Sequence, residues 1–313
     1  MLVALAGGVG AARLLRGLID VMDPADITAV VNTGDDIVLH GLHICPDLDT
    51  VTYTLAGAIN TEQGWGLAGE TWAVMESLER YGGHTWFRLG DRDLATHLFR
   101  TQRLTEHATL SSVAAAIAKA WGVEVRVLPM SEDRVETRIA IAGPVPGTSV
   151  DVGFQEWFVG RHHRVPVESV KFLGSMEARP APGVLEAISS AEHLVICPSN
   201  PIVSIGPVLA VPGIEDALAA RRDEVVAVSP IVAGAALTGP ADRMMAELGH
   251  EVSVVGVARL YAPLAGTLVI DEADRELSGA VEAEGLRAVV APTIMSGPAE
   301  AAALARVVLA ANR

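Results

Sequence analysis

The sequence predicts an α/β chain, a Rossmann-like, mostly parallel sheet with a helical and β-ribbon insertion in the middle. Three observations predict it. Short apolar runs alternate with helical-period segments at both ends of the chain, as expected of strands buried on both faces of a parallel sheet. Between them lie several helical patterns in succession, then an alternating run, Thr137-Arg-Ile-Ala-Ile-Ala, that fits a half-buried antiparallel ribbon. Half of the 313 residues are hydrophobic, enough for a sizeable core, and no internal repeat or low-complexity linker marks a boundary. The expectation is one α/β domain over 1–313, with its sheet built from about 1–60 and 190–313 and the insertion over about 65–175.

In order, Leu2–Ala6 reads as a strand ended by Gly7-Gly8-Val9-Gly10. Ala11–Val21 carries Leu14, Leu15, Leu18 and Ile19 at helical spacing, and Ile27–Val31 is a second strand ended by Asn32-Thr33-Gly34-Asp35-Asp36. Helices are expected over Thr50–Ile59, Glu70–Tyr81, Asp93–Leu104 and Leu110–Trp121. Strands follow over Glu124–Leu128, Val135–Ala142, Val150–Val159 and Val167–Leu173, with Pro144, Pro146 and Pro166 at the breaks. The α/β rhythm resumes with strands at His193–Cys197, Glu224–Val228, Val252–Val257, Thr267–Ile270 and Ala288–Ala291, and helix Pro298–Ala311 closes the chain.

Charge narrows the partners. Twenty-three basic against 38 acidic residues give a net charge of −15, which argues against a general nucleic-acid binder and against a polybasic membrane face. Leu194–Ile214, the longest uncharged stretch, contains Pro198, Pro201, Pro207 and Pro212, so no spanning helix is expected. The N-terminus reads as a strand, not as a signal peptide. Cys45 and Cys197 form no CxxC pair, which suggests neither a disulfide framework nor a thiolate zinc site and fits a reducing cytoplasm.

Polar residues concentrate at the ends of the apolar runs. At Gly7-Gly8-Val9-Gly10-Ala11-Ala12-Arg13, glycines and a helix N-terminus suit a phosphate, with Gly8, Gly10 and Arg13 as contacts. The pattern is not a Walker motif, because no Lys-Ser/Thr follows. Nor is it a full dinucleotide fingerprint, because Arg13 stands where a packing Gly or Ala belongs. Asp35, Asp36, Asp47 and Asp49 put four carboxylates in fifteen residues; without cysteine, such oxygen ligands suit Mg²⁺ or Mn²⁺, not zinc. Any one of them reads equally as a helix cap or a solvated loop residue, and His40 and His43 between them read as structural. Arg88 and Arg92, with Asp91 between them, offer a phosphate or polar ligand a charged edge. Asp91 also reads as an N-cap, and Asp93, His97 and Arg100 share one helix face that is either solvated or functional. Ser199 and Asn200 suit a base or heterocycle, or form a turn before proline, and Arg161-His162-His163-Arg164 reads as a solvated turn.

Together these stretches resemble the 2-phospho-L-lactate transferase family of coenzyme F420 biosynthesis, including its bacterial phosphoenolpyruvate-type branch. The resemblance rests on Gly7–Gly10, Val31–Asp36, Pro46-Asp47-Leu48-Asp49-Thr50, Leu89-Gly90-Asp91-Arg92-Asp93 with Ala95-Thr96-His97, Phe154-Gln155-Glu156-Trp157, Pro198-Ser199-Asn200-Pro201 with Ser204–Pro207, and Val228-Ser229-Pro230-Ile231. It implies that a guanylylated three-carbon acid is the donor and that the deazaflavin 7,8-didemethyl-8-hydroxy-5-deazariboflavin (FO) is the acceptor through its ribityl hydroxyl. GMP then leaves. It also implies Mg²⁺ and a homodimer. Carried over residue by residue, it gives deazaflavin contacts at Asp49 and Arg88, metal ligands at Asp36, Asp47 and Asp49 ahead of Asp35, and Asp36, Asp49 and Arg88 as the catalytic set. The competing reading is an NAD(P)-dependent Rossmann oxidoreductase, in which Asp35 or Asp36 would serve as the ribose-binding acid.

Overall fold

Five apolar residues without a gap make Leu2–Ala6 a strand, β1, buried on both faces. The computed structural model describes residues 1–145 and 147–311, so the expected break at Pro146 lies outside the described residues. After β1 come α1 (Gly8–Leu18), β2 (Ile27–Val31), a hairpin of β3 (Ile37–Leu39) and β4 (Leu42–Ile44), and then α2 (Pro46–Leu55). The middle holds α3 (Ala73–Arg80), α4 (Asp93–Thr105), α5 (Leu110–Ala120), β5 (Arg126–Pro129), β6 (Glu136–Ala142), β7 (Ser149–Gly153) and β8 (Val167–Leu173). There follow α6 (Val184–Ser190), β9 (His193–Ile196), α7 (Gly206–Leu209), α8 (Ile214–Ala219), β10 (Val225–Val228), the short β11 (Ile231–Val232) and β12 (Ala235–Ala236), and α9 (Ala241–Glu247). The chain ends with α10 (Val254–Tyr261), β13 (Thr267–Ile270), α11 (Ser278–Ala283), β14 (Arg287–Val290) and α12 (Pro298–Ala311).

Seven strands form one parallel sheet in the order β14-β13-β10-β9-β1-β2-β5. From β1 the chain runs outward to β2, and from β9 it runs outward the other way to β10. The topology therefore reverses between β1 and β9, and an open α/β sheet forms its ligand crevice beyond the carboxyl ends of the strands at such a point. Alternate residues of β1 feed two cores: Val3 and Leu5 pack with α6, α8 and α10, and Leu2, Ala4 and Ala6 pack with α1, α2 and α12. Strands β7-β6-β8 form the antiparallel ribbon expected around Thr137.

Helix α1 crosses α12 at Gly17, where a Cβ would lie 2.2 Å from the carbonyl oxygen of Ala301. Gly17→Ala is therefore expected to lower stability by about 1–3 kcal/mol in urea denaturation while leaving turnover per folded molecule largely unchanged, since Gly17 lies at the end of α1 away from the residues that line the cleft.

Four local readings change. Val252–Val257, expected as a strand, is the start of α10. Ser253 caps that helix by accepting hydrogen bonds from the N–H groups of Val255 and Gly256. A short apolar run does not tell a buried helix from a buried strand by periodicity. The strand expected over Val150–Val159 stops at Gly153, and Glu156–Gly160 forms a π-helical turn. Helix α2 starts at Pro46, not Thr50, because proline is preorganised for the first helical position, so Asp47 and Asp49 sit in its first turn. Strand β5, expected inside the insertion, is an edge strand of the main sheet beside β2. No helix among the described residues is long and apolar enough to cross a membrane.

Candidate active site

A cleft of about 790 Å³ opens at the β1/β9 crossover and is lined by Gly7–Gly10, Arg13, Asp35, Asp47, Asp49, Arg88 and Pro198–Asn200, among others. Gly8 takes φ +71°, a left-handed conformation open to glycine without strain, and no atom lies within 4 Å of where its Cβ would be. Gly10 brings α1 against the β9 loop: a Cβ there would stand 2.2 Å from the carbonyl oxygen of Pro198. The N–H of Gly7 donates to Ser199 Oγ at 3.4 Å, which ties the two loops together across the crossover. The amino end of α1 thus faces open space, with its partial positive charge directed into the cleft. Arg13 lines the same space, is exposed, and pairs with no carboxylate among the described residues. Asn200 lines the cleft but spends its Oδ1 on the following turn, accepting from the N–H groups of Ile202 at 2.9 Å and Val203 at 3.4 Å.

The acidic residues divide. Asp35 and Asp47 are buried, line the cleft and repel each other. Burial, and then the Asp47 charge, push the Asp35 carboxyl well above the ordinary carboxylate range, and its Oδ1 has no hydrogen-bond partner. Burial raises Asp47 to about 6, against the relief it gains from the Asn32 amide (2.9 Å) and the Gly8 N–H. Neither pairs with Lys or Arg among the described residues. Two buried carboxylates facing one space without a basic partner make a donor set suited to a hard divalent cation.

Asp36 was expected in that set, but it lines a separate cavity of about 370 Å³ together with His43, Cys45 and Arg134. Thr33–Asp36 form a turn closed by the Asp36 N–H donating to the Thr33 carbonyl at 3.3 Å, and the turn sends the Asp35 and Asp36 side chains into different cavities. Asp49 does line the cleft, yet its partner is Arg100: Nη1 donates to Oδ2 at 3.1 Å and Nη2 donates to Oδ1. Burial raises the Asp49 carboxyl, and Arg100 and His97 draw it back. Asp49, Asp93 and His97 offer ligand atoms within 4.8 Å of one another, a second place where a metal is conceivable, but the Arg100 guanidinium already supplies positive charge there. Tyr53, Asp93 and His97 also line the cleft: Tyr53 donates its hydroxyl proton to Asp93 at 2.6 Å, and His97 Nε2 lies 3.2 Å from Asp93 Oδ2. Burial works to raise Asp93, but its bonds from His97 and Tyr53 outweigh this and leave its carboxyl low.

The Arg88–Asp93 segment also divides. Arg88 lines the cleft with its guanidinium 4.2 Å above the Trp72 ring, so a cation–π contact, not an ion pair, holds it. Asp91 does not cap its own helix. Its carboxylate accepts from the N–H groups of Ala73 and Val74 and so caps α3, while Glu70 accepts from Arg92 and Asp93 at the start of α4. Arg92 donates to the carbonyl of Ala68 at 2.6 Å, which ties down the preceding loop. Neither Asp91 nor Arg92 lines the cleft.

Sequence reasoning assigned no site role to the aromatic side chains that line the cleft, Trp65, Trp86, Phe87, Phe154 and Phe158, although Phe154 lies in one of the resembling stretches. Phe154 and Phe158 stack with centroids 5.4 Å apart and 9° between planes. No spacing rule marks these aromatics, because they come from loops and a π-turn. Arg100 had a signal, since the Asp93, His97 and Arg100 spacing defines a face, but the pattern did not say that the face is buried against α2.

The sequence profile of the family described as 2-phospho-L-lactate transferase CofD matches residues 2–294. A protein of Kitasatospora aureofaciens named phosphoenolpyruvate transferase is 49% identical over 312 residues, covering 99% of this chain and 97% of its own. Proteins of the same name from Streptomyces griseus and Thermobifida fusca are 49% and 46% identical, each over 97% of this chain. Among solved structures, a member of the UPF0052 family from Bacillus halodurans matches with a TM-score of 0.62 and 17% identity, over 98% of both chains, a likeness of fold.

Proposed function

The chain belongs to the 2-phospho-L-lactate transferase CofD family, and from that premise we propose that it transfers a phosphoenolpyruvyl group in coenzyme F420 biosynthesis. The donor is the guanosine diphosphate-linked enolpyruvyl acid, and the acceptor is the ribityl hydroxyl of the deazaflavin FO. The choice of the enolpyruvyl over the lactyl donor follows the name shared by the relatives near 49% identity. A homodimer is part of the proposal.

One observation carries the reading. A single cleft joins an open, positively polarised helix end to a buried carboxylate pair that has no basic partner, and an arginine-bound carboxylate stands beside them. Such a site suits a phosphate chain, a divalent cation and a neutral hydroxyl acceptor. In the proposed mechanism, the N-terminal turn of α1 and Arg13 hold the GMP phosphate. Asp35 and Asp47 would hold Mg²⁺, with Asp36 outside the set; Mg²⁺ would neutralise charge on the donor's phosphate oxygens. Asp49 accepts a hydrogen bond from the acceptor and orients its hydroxyl, while Arg88 and the aromatic wall cover the ring. The hydroxyl oxygen bonds to the phosphorus that carries the three-carbon acid. The bond from that phosphorus to the bridging oxygen breaks, and the hydroxyl proton goes to the departing GMP phosphate. Positioning and charge neutralisation supply most of such a rate enhancement, so no strong base is required.

Titration with GDP and with NADH tests the nucleotide assignment. GDP is expected to bind in the presence of Mg²⁺ and NADH not to bind; tight NADH binding without GDP binding would restore the oxidoreductase reading.

A further inference from the structure

We infer that Arg100 is a positioning residue for the acceptor substrate: it fixes the orientation of Asp49, so that Asp49 receives a hydrogen bond from the acceptor while Asp47, two residues earlier, is left to the cation. The inference rests on the reading of the cleft as a deazaflavin transferase site and assigns a duty to a residue that does not itself line the cleft.

The geometry is specific. Arg100 is 2% exposed and sits on α4, one turn beyond His97 and two beyond Asp93, on the face turned toward α2. Both of its terminal nitrogens reach Asp49, one to each carboxylate oxygen, and Nη1 also lies 3.3 Å from the His43 carbonyl that precedes α2. A two-point fork of this kind fixes the rotation of the carboxylate about its own axis as well as its position. A single point charge would leave that rotation free.

A buried charge pair is seldom worth more to stability than a well-packed apolar pair, so its presence is weakly explained by folding alone. Here the partner is one of the few carboxylates at the cleft surface, and the arginine stands directly behind it. The surrounding groups complete the brace: Nη1 lies 3.3 Å from His97 Nδ1, His97 and Tyr53 hold Asp93 against the same face, and the Tyr53 hydroxyl also meets Thr96 Oγ1 at 2.7 Å. What remains open to the cleft is an oriented acceptor whose charge is already matched from behind. Such a group selects a hydroxyl or ring N–H donor and has little call for a further cation. Asp47, lacking any such brace, has the opposite character.

The test is a double-mutant cycle with Arg100→Lys and Asp49→Asn, reading KM for the deazaflavin, KM for the guanylylated donor and Mn²⁺ affinity by electron paramagnetic resonance. Arg100→Lys is chosen because it keeps the charge and removes the fork; folding of each variant is checked by circular dichroism. Arg100→Lys alone is expected to raise the deazaflavin KM by about 10-fold or more, with donor KM and Mn²⁺ affinity within about 3-fold of wild type, the scale of losing one charge-assisted hydrogen bond. In the Asp49→Asn background the same change is expected to add less than about 2-fold, because a residue acting through Asp49 has nothing left to position. Equal effects in both backgrounds, or a deazaflavin KM unchanged in Arg100→Lys, would overturn the inference alone. Failure of the wild-type chain to use the deazaflavin at all would overturn the acceptor reading, and this inference with it.

Discussion

Asp49→Asn is expected to lower kcat/KM by about 10²–10³-fold, because two losses coincide. The acceptor loses an oriented anionic hydrogen-bond partner at the cleft wall, and Arg100, 2% exposed, loses the carboxylate that compensates its charge. Removing one member of a buried pair is expected to cost about 3–5 kcal/mol of stability, more than the pair as a whole contributes, because a buried charge is left uncompensated. Turnover must therefore be read per folded molecule, with the folded fraction taken from circular dichroism at the assay temperature. Near-wild-type turnover in the folded variant, with Mg²⁺ and both substrates present, would remove Asp49 from the mechanism.

The second large effect concerns Asp47 and the divalent cation. Burial raises this carboxyl from 3.8 to about 6 in the metal-free protein. Its folded pKa thus exceeds its unfolded one, so between those values the folded state holds a proton that the unfolded state has released. The associated stability is fully present below about pH 4 and is lost as the pH rises through about 6. A rise of this size sets an upper scale of about 3 kcal/mol.

A cation that binds the ionised carboxylate reverses this loss. The rise in Tm on adding Mg²⁺ is therefore expected to be small at pH 5, to grow through pH 6 and to level off above pH 7. At a free concentration about 100 times its Kd, the ion adds about 2.7 kcal/mol. Asp47→Asn removes the charge while keeping a polar group for Asn32 and Gly8. At pH 7.5 it is expected to raise the Tm of the metal-free protein, abolish the response to Mg²⁺ and reduce turnover below about 1% of wild type. Calorimetry with and without Mg²⁺ from pH 5 to 8 checks each part. An undiminished response in Asp47→Asn would move the metal to Asp49, Asp93 and His97, the other close group of ligand atoms.

Much of the fold was legible because the strands at both chain ends are unbroken apolar runs bounded by Gly, Pro, Asn and Asp, features that act locally. The glycine-rich turn at the mouth of the cleft was legible for the same reason: a turn of this kind between a strand and a helix has one common geometry. What stayed hidden depends on contacts distant in sequence. Asp91 looks like a cap for the helix that begins two residues later, yet its carboxylate caps α3, eighteen residues earlier in the chain, and Glu70 takes the nearer task. Asp35 and Asp36 are chemically alike and adjacent, and only the fold decides which one faces the cleft. Arg100 reads as part of a face that is either solvated or functional until its bonds to Asp49 on α2 show it buried. The Val252–Val257 run became a helix through one capping serine, a signal shorter than the hydrophobic pattern it overrode.

The central claim is the transfer itself, and mass spectrometry of a single incubation tests it most directly. The protein is mixed with Mg²⁺, FO and the guanosine diphosphate-linked enolpyruvyl acid, with the lactyl donor in a parallel reaction. The account predicts one equivalent of GMP for each deazaflavin that gains a phosphoenolpyruvyl group, with the enolpyruvyl donor used in preference to the lactyl one. Unchanged deazaflavin, or donor cleaved to GMP without a deazaflavin adduct, would contradict it.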